Sequence, residues 1–211
     1  MRKSERTSFE QWERLFNVDY RSNLKNRYLD LINHYSEELR HYHTLVHIED
    51  CLIKFDRVKK YCQNPHEVEI AIWSHDIIYN PKRTDNEQKS AEWASDFLRE
   101  IQYSPKSVQL VSSLIIATAN HYSEKADSLL LNDIDLSILG SASQTYRVYR
   151  EDIRKEYRHV PDFLYKQGRA KVLRSFMEKE KIYHTEFFCH LEGNARKNIN
   201  DELKFLQANN I

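Results

Sequence analysis

The chain has 211 residues, 40% of them hydrophobic and 30% charged, with 32 basic and 32 acidic side chains. Zero formal net charge removes the electrostatic case for nucleic acid or an anionic membrane as principal partner, since both attract an excess of positive charge. Only 3 Gly and 4 Pro occur, too few for a turn-rich β-sandwich or barrel, and no segment approaches the ~20 apolar residues of a membrane span.

The charged opening, Met1 to Trp12, holds no apolar signal core, and the three cysteines (Cys51, Cys62, Cys189) show no CxxC spacing. A reduced, cytoplasmic protein with packing thiols is the expectation. Helical periodicity runs through the rest. Leu24, Tyr28, Leu31, Ile32, Tyr35 and Leu39 form a first apolar stripe, and Leu45, Ile48, Leu52, Phe55, Val58 and Cys62 a second. Pro65 opens a helix carrying Val68, Ala71, Ile72, His75 and Tyr79, which Asn80-Pro81 should end. After the polar loop 80–86, Asp85 or Asn86 is placed to cap a helix striped by Ser90, Ala91, Ala94, Phe97, Leu98 and Ile101. Ser104-Pro105 reads as a cap and first-turn proline opening the next helix. A shorter element runs from about Leu129 to Leu139 and stops at Gly140, followed by helices at 145–157, 163–177 and about 186–206. With no repeat, linker or alternating β pattern, the expectation is one all-α domain over residues 1–211.

Three features carry chemistry. His43 and His47 are four apart beside Arg40, His41 and Tyr42, which puts both on one side of a helix start; alone, such a pair equally describes two polar residues at a helix end. His75-Asp76 sits within Ala-Ile-Trp-Ser-His-Asp-Ile-Ile-Tyr. A carboxylate in such apolar company is costly unless paired, hydrogen-bonded or bound to a metal. Asp133 and Asp135 stand in the apolar segment Leu131–Ser137, where both cannot easily face a core unpaired; a helix cap plus a surface charge is the plain alternative.

Together these residues resemble the HD superfamily of metal-dependent phosphohydrolases, whose pattern is a His, a His-Asp doublet and a later Asp. Tyr42-His43-x-x-x-His47 is similar to the YHxxxH element of the cyclic nucleotide phosphodiesterases, and Ile134-Asp135-Leu136-Ser137 to their ADLS element. A closer resemblance is to small bacterial HD-domain proteins described as predicted metal-dependent phosphohydrolases. It runs through Arg40–Ile48, His75-Asp76-x-x-Tyr79, Asn86-Glu87-x-x-Ser90-Ala91 and Asp133–Gly140, and covers about residues 20–200.

The resemblance implies an HD-domain helical bundle and a metal held by His47, His75, Asp76 and Asp135, with Asp133 the alternative last ligand. It implies His43 as general acid, and a small phosphorylated substrate, a nucleotide or related metabolite. Imidazoles with carboxylates suit Mn, Fe, Co, Ni or Zn better than Ca, with Mg admissible at a second site. Such an ion lowers the pKa of a water ligand from 15.7 to roughly 7. Glu87 is a candidate for orienting that water, or a first-turn carboxylate on the helix dipole. Arg40 is a candidate for holding phosphate, or a helix-end cation. Lys82 and Arg83 lie in the loop after the doublet, and His121 at the end of a helix. Two other classes stay open: a di-iron oxygenase, which needs further ligands from His121, Glu87 or Asp133, and a non-catalytic module that binds metal and nucleotide as a sensor.

Overall fold

The computed structural model describes residues 6–16 and 21–208, and among these no strand occurs. The α-helices are α1 (Phe9–Glu13), α2 (Arg21–Tyr35), α3 (Leu45–Val58), α4 (Pro65–Ser74), α5 (Asn86–Glu100), α6 (Pro105–Ala117), α7 (Ala126–Asp135), α8 (Ser143–Glu156), α9 (Asp162–Glu178) and α10 (Glu192–Ala208). The protein is therefore all-α. It divides into two compact units, Met1–Asn132 and Asp133–Ile211, with the division falling inside α7.

In the first unit α5 packs on α6, α4 on α6 and α3 on α4. The expected stripe of α5 is buried throughout: Ser90, Ala91, Ala94, Phe97, Leu98 and the following Ile101. Ser104 caps α6, its hydroxyl accepting from Ser107 N at 3.1 Å, ahead of Pro105. The N-terminal segment, in which the sequence reading found no core element, is the exception. Trp12 is 0% exposed and lies 5.5 Å, ring to ring, from both Trp73 and Phe97, with Phe16 against Phe97 at 5.1 Å. Arg6 reinforces the attachment by pairing with Asp56 at 2.8 Å and with buried Glu69 at 2.5 Å.

Two helices stop earlier than their stripes imply. Helix α2 ends at Tyr35, leaving Leu39 outside it and 52% exposed. The chain tightens into three-residue turns there (Ser36 N to Asn33 O, 3.1 Å; Glu37 N to His34 O, 3.3 Å) and then winds irregularly to Thr44. Helix α4 ends at Ser74, not at Asn80, because groups outside the helix take the next backbone positions. Arg40 donates to Asp76 O and Ile77 O, and Ser90 Oγ accepts from Ile78 N.

In the second unit α10 packs on α9 and on the 3-10 turn Leu136–Gly140, which also meets α8. Helix α10 starts at Glu192 rather than near 186. The preceding residues are held as a loop, with Glu192 accepting from Ile182 N (3.0 Å) and Tyr183 N (3.2 Å), and Tyr183 Oη donating to Leu136 O (3.0 Å). Gly140 permits this close approach: a Cβ there would fall 2.6 Å from Leu191 Cβ and 2.8 Å from Leu191 O. Gly140→Ala should cost about 1–3 kcal/mol, as overpacking does. Gly168→Ala in α9, where a Cβ meets nothing within 4 Å, should instead stabilise by about 0.5–1 kcal/mol. Urea unfolding of both variants checks the pair; equal shifts would remove the steric argument at Gly140.

Candidate metal centre

His47 lies in the first turn of α3, whose start is fixed by the Thr44 cap with its hydroxyl accepting from Val46 N at 3.3 Å. The residue is 4% exposed, one turn before buried Cys51. His75 caps the C-terminus of α4 at 1% exposure. Its Nδ1 sits 2.9 Å from Ile72 O. A carbonyl only accepts, so the neutral ring carries its proton on Nδ1 and turns the Nε2 lone pair the other way.

That lone pair faces other donors of electron density. His75 Nε2 is 3.3 Å from His47 Nε2 and 3.1 Å from Asp76 Oδ2, and His47 Nε2 is 3.5 Å from the same oxygen. His47, His75, Asp76 and Asp135 each offer one ligand atom, and all four atoms lie within 4.8 Å of one another. Three acceptor atoms at such separations repel unless a cation, proton or metal, lies among them. With bonds of 2.0–2.1 Å to nitrogen, neighbouring ligands around one ion stand about 3.0–3.4 Å apart, close to the spacings between these atoms. Two carboxylates beside two neutral imidazoles also balance the charge of a divalent ion. The residues fit a metal.

The backbone around the cluster is held by protein groups. The Arg40 side chain is 0% exposed and donates to His43 O (3.1 Å), Asp76 O (2.6 Å) and Ile77 O (2.7 Å), with Nε on Glu37 (3.2 Å). Its guanidinium lies over the Tyr35 and Tyr79 rings. Arg40, expected to hold phosphate or to be a helix-end cation, has no exposed side-chain surface and ties the His43 and Asp76 segments together. Ser90 brackets Ile78 through both its N–H (3.1 Å) and its carbonyl (3.3 Å), and Asn86 brackets Asn80 at 3.0 Å in both directions. Asp85 occupies the cap position of α5, but its carboxylate turns to Arg83 instead of capping. Tyr35 Oη donates to Trp73 O at 3.0 Å. Burial, and then the Asp76 charge, hold that phenol well above its ordinary pKa, so it remains a neutral donor.

Helix α7 carries Asp135 in its last turn and is anchored at its first. Asp127 accepts from Gln63 N (2.8 Å), Asn64 N (2.9 Å) and Asn64 Nδ2 (2.9 Å), at the turn that opens α4. Sequence reasoning did not single out Asp127. Asp133 has a different task. It is 0% exposed and accepts from His184 N (2.9 Å), Thr185 N (2.7 Å) and Thr185 Oγ1 (2.6 Å). Burial raises its pKa, and those hydrogen bonds pull it partly back. Residues two apart on a helix diverge by about 200°, so Asp133 anchors a loop while Asp135 joins the cluster.

His43 precedes the Thr44 cap and is not helical, so the expected one-turn relation to His47 does not apply. Its ring stacks on Tyr79 with centroids 4.1 Å apart and an interplanar angle of 26°, 6.1 Å from the His47 ring. Glu87 is half-buried in the first turn of α5, Lys82 and Arg83 are exposed, and Arg83 pairs with Asp85 at 2.5 Å. His121 follows α6 with a left-handed φ of 50° and is outside the four-residue cluster. Among the described residues no helix is long and apolar enough to cross a membrane. Compared with family models, curated proteins and solved structures, the chain finds no match.

Proposed function

We propose that this chain is an HD-type metal-dependent phosphohydrolase acting on a phosphate ester or anhydride of a small molecule, a nucleotide or related metabolite. The observation that carries the reading is the convergence of His47, the His75-Asp76 doublet and Asp135, three separate stretches of sequence, on one volume sized for an ion. His47, His75, Asp76 and Asp135 would hold a divalent ion, which would supply Lewis acidity toward a phosphoryl oxygen and toward the attacking water. Mn, Fe, Co, Ni and Zn are the ions this donor set favours.

The remaining work falls to side chains. The leaving oxygen needs a proton, and His43 is the candidate donor, its ring aligned by Tyr79 and its backbone held through the Arg40 bond to His43 O. A half-buried Glu87 in the first turn of α5 is the candidate for orienting the attacking water. Buried surroundings at His47 and His75 exclude bulk water from the ligand side and strengthen each charge interaction there.

The test is phosphate release from a nucleotide panel and from aryl and alkyl phosphodiesters, on stripped protein resupplied with each ion in turn. Release by wild type and not by Asp135→Ala supports a hydrolase. His43→Ala should keep the ion and slow alkyl esters by about 10²–10⁴-fold, the range of general acid catalysis, while aryl esters, whose leaving groups need less help, change much less. Equal loss on both ester types removes His43 from the acid role. Silence across the panel with the ion retained refutes hydrolysis, and oxygen uptake with iron would then favour the oxygenase class.

A further inference from the structure

The second unit contains a cavity of about 490 Å³, within the range of small-molecule sites. None of its lining residues belongs to the metal cluster. It is walled by α8, the first half of α9 and the end of α10.

At one wall Glu202, whose side chain is 0% exposed, receives Arg169 through Nε at 2.9 Å and Nη2 at 3.1 Å, and the Tyr146 hydroxyl at 2.5 Å. That carboxylate is neutralised from behind and is no cation site. Asp162 is likewise engaged, by Lys166 at 2.6 Å and Arg154 Nε at 3.6 Å. Arg154 directs its other nitrogens to Tyr157 O (2.8 Å) and Val160 O (3.3 Å).

Two lining groups differ. The Arg150 guanidinium lies 4.2 Å above the Phe205 ring, and among the described residues no carboxylate is within ion-pair distance of it. Tyr165 is 7% exposed, and among the described residues its buried hydroxyl has no hydrogen-bond partner. With Glu202 cancelled, the charged lining residues are Arg150, Arg154 and Lys166 against Asp162 and Glu151, an excess of one positive charge among them. The apolar surface comes from Tyr165, Phe205 and Leu206.

We propose that this cavity binds an organic monoanion with an aromatic body, its ring against Phe205 and Tyr165, its anionic head on Arg150, and an acceptor oxygen satisfying the Tyr165 hydroxyl. Arg favours such an anion by its planar fork of donors. A buried hydroxyl without a partner costs about 1–3 kcal/mol, which a ligand acceptor would recover.

The experiment titrates the full chain with 1-naphthoate and, as its uncharged counterpart, 1-naphthamide. It uses wild type, Arg150→Met (stem kept, charge removed) and Tyr165→Phe, each checked for helicity and melting temperature. Naphthoate should saturate wild type, and Arg150→Met should weaken it about tenfold or more, as loss of a charge-assisted hydrogen bond does. Tyr165→Phe should weaken naphthoate severalfold while leaving the melting temperature of the free protein unchanged or higher, a combination that a merely structural hydroxyl would not give. Equal binding of naphthoate and naphthamide, undiminished binding by Arg150→Met, or no saturable binding to wild type overturns the proposal. None of these outcomes depends on activity at the metal centre, so the two readings fail separately.

Discussion

Asp76→Asn should leave the helical content intact and reduce retention of a divalent ion by more than about 100-fold, since loss of a ligand exceeds the 10–100-fold effect of losing an outer partner. The substitution keeps volume and removes a carboxylate that stands 3.1 Å from His75 Nε2 and 3.5 Å from His47 Nε2. His47→Ala should do the same through loss of an imidazole. Arg40→Met is expected to fall in the 10–100-fold class, because it frees the Asp76 and His43 carbonyls without touching a ligand atom. Metal content after dialysis against a weak chelator, read by mass spectrometry, ranks the three. Full retention by both Asp76→Asn and His47→Ala would place the ion elsewhere.

The second large effect is on stability. Trp12→Ala should cost about 3–5 kcal/mol, the usual range for truncating a buried aromatic, and lower Tm by on the order of 10 °C at this chain length. Trp12 is wholly buried against Phe97 of α5 and Trp73 of α4, the helix whose C-terminus His75 caps. Trp93→Ala is the contrast: that ring is only half-buried, with its indole N–H on Asp30 at 2.8 Å, and its loss should cost less. Urea denaturation followed by circular dichroism measures both, and equal effects would deny Trp12 its place in the core.

The helices were legible where one periodicity and its end signals agree, as in α5 and α6. They were misread where distant side chains interrupt them. Nothing local to Tyr79 says that α4 stops at Ser74; the reason lies with Arg40 and Ser90, remote in sequence, which take up the backbone of residues 76–78. The N-terminal core was missed although Phe9, Trp12 and Phe16 stand at helical spacing, because charged residues interleave a stripe of only three positions. For the site, residue types and spacing singled out His43 and His47, the His75-Asp76 doublet and the pair Asp133 and Asp135, and the family resemblance implied the set His47, His75, Asp76 and Asp135. They did not separate Asp135 from Asp133, since both carboxylates fit the same apolar surroundings; the His184–Thr185 backbone that occupies Asp133 is fifty residues away.

The frame of residues 76–80 is held by Arg40, Ser90 and Asn86, none of which is among the four ligand residues. Conformational entropy for that segment is therefore settled at folding. An arriving ion has no loop to order, and amide protons such as those of Ile78 and Asn80 have no reason to exchange faster in its absence. Discrimination among ions then falls to donor softness, charge and preferred coordination number, and affinities across the transition series should follow coordination chemistry rather than a shared folding term.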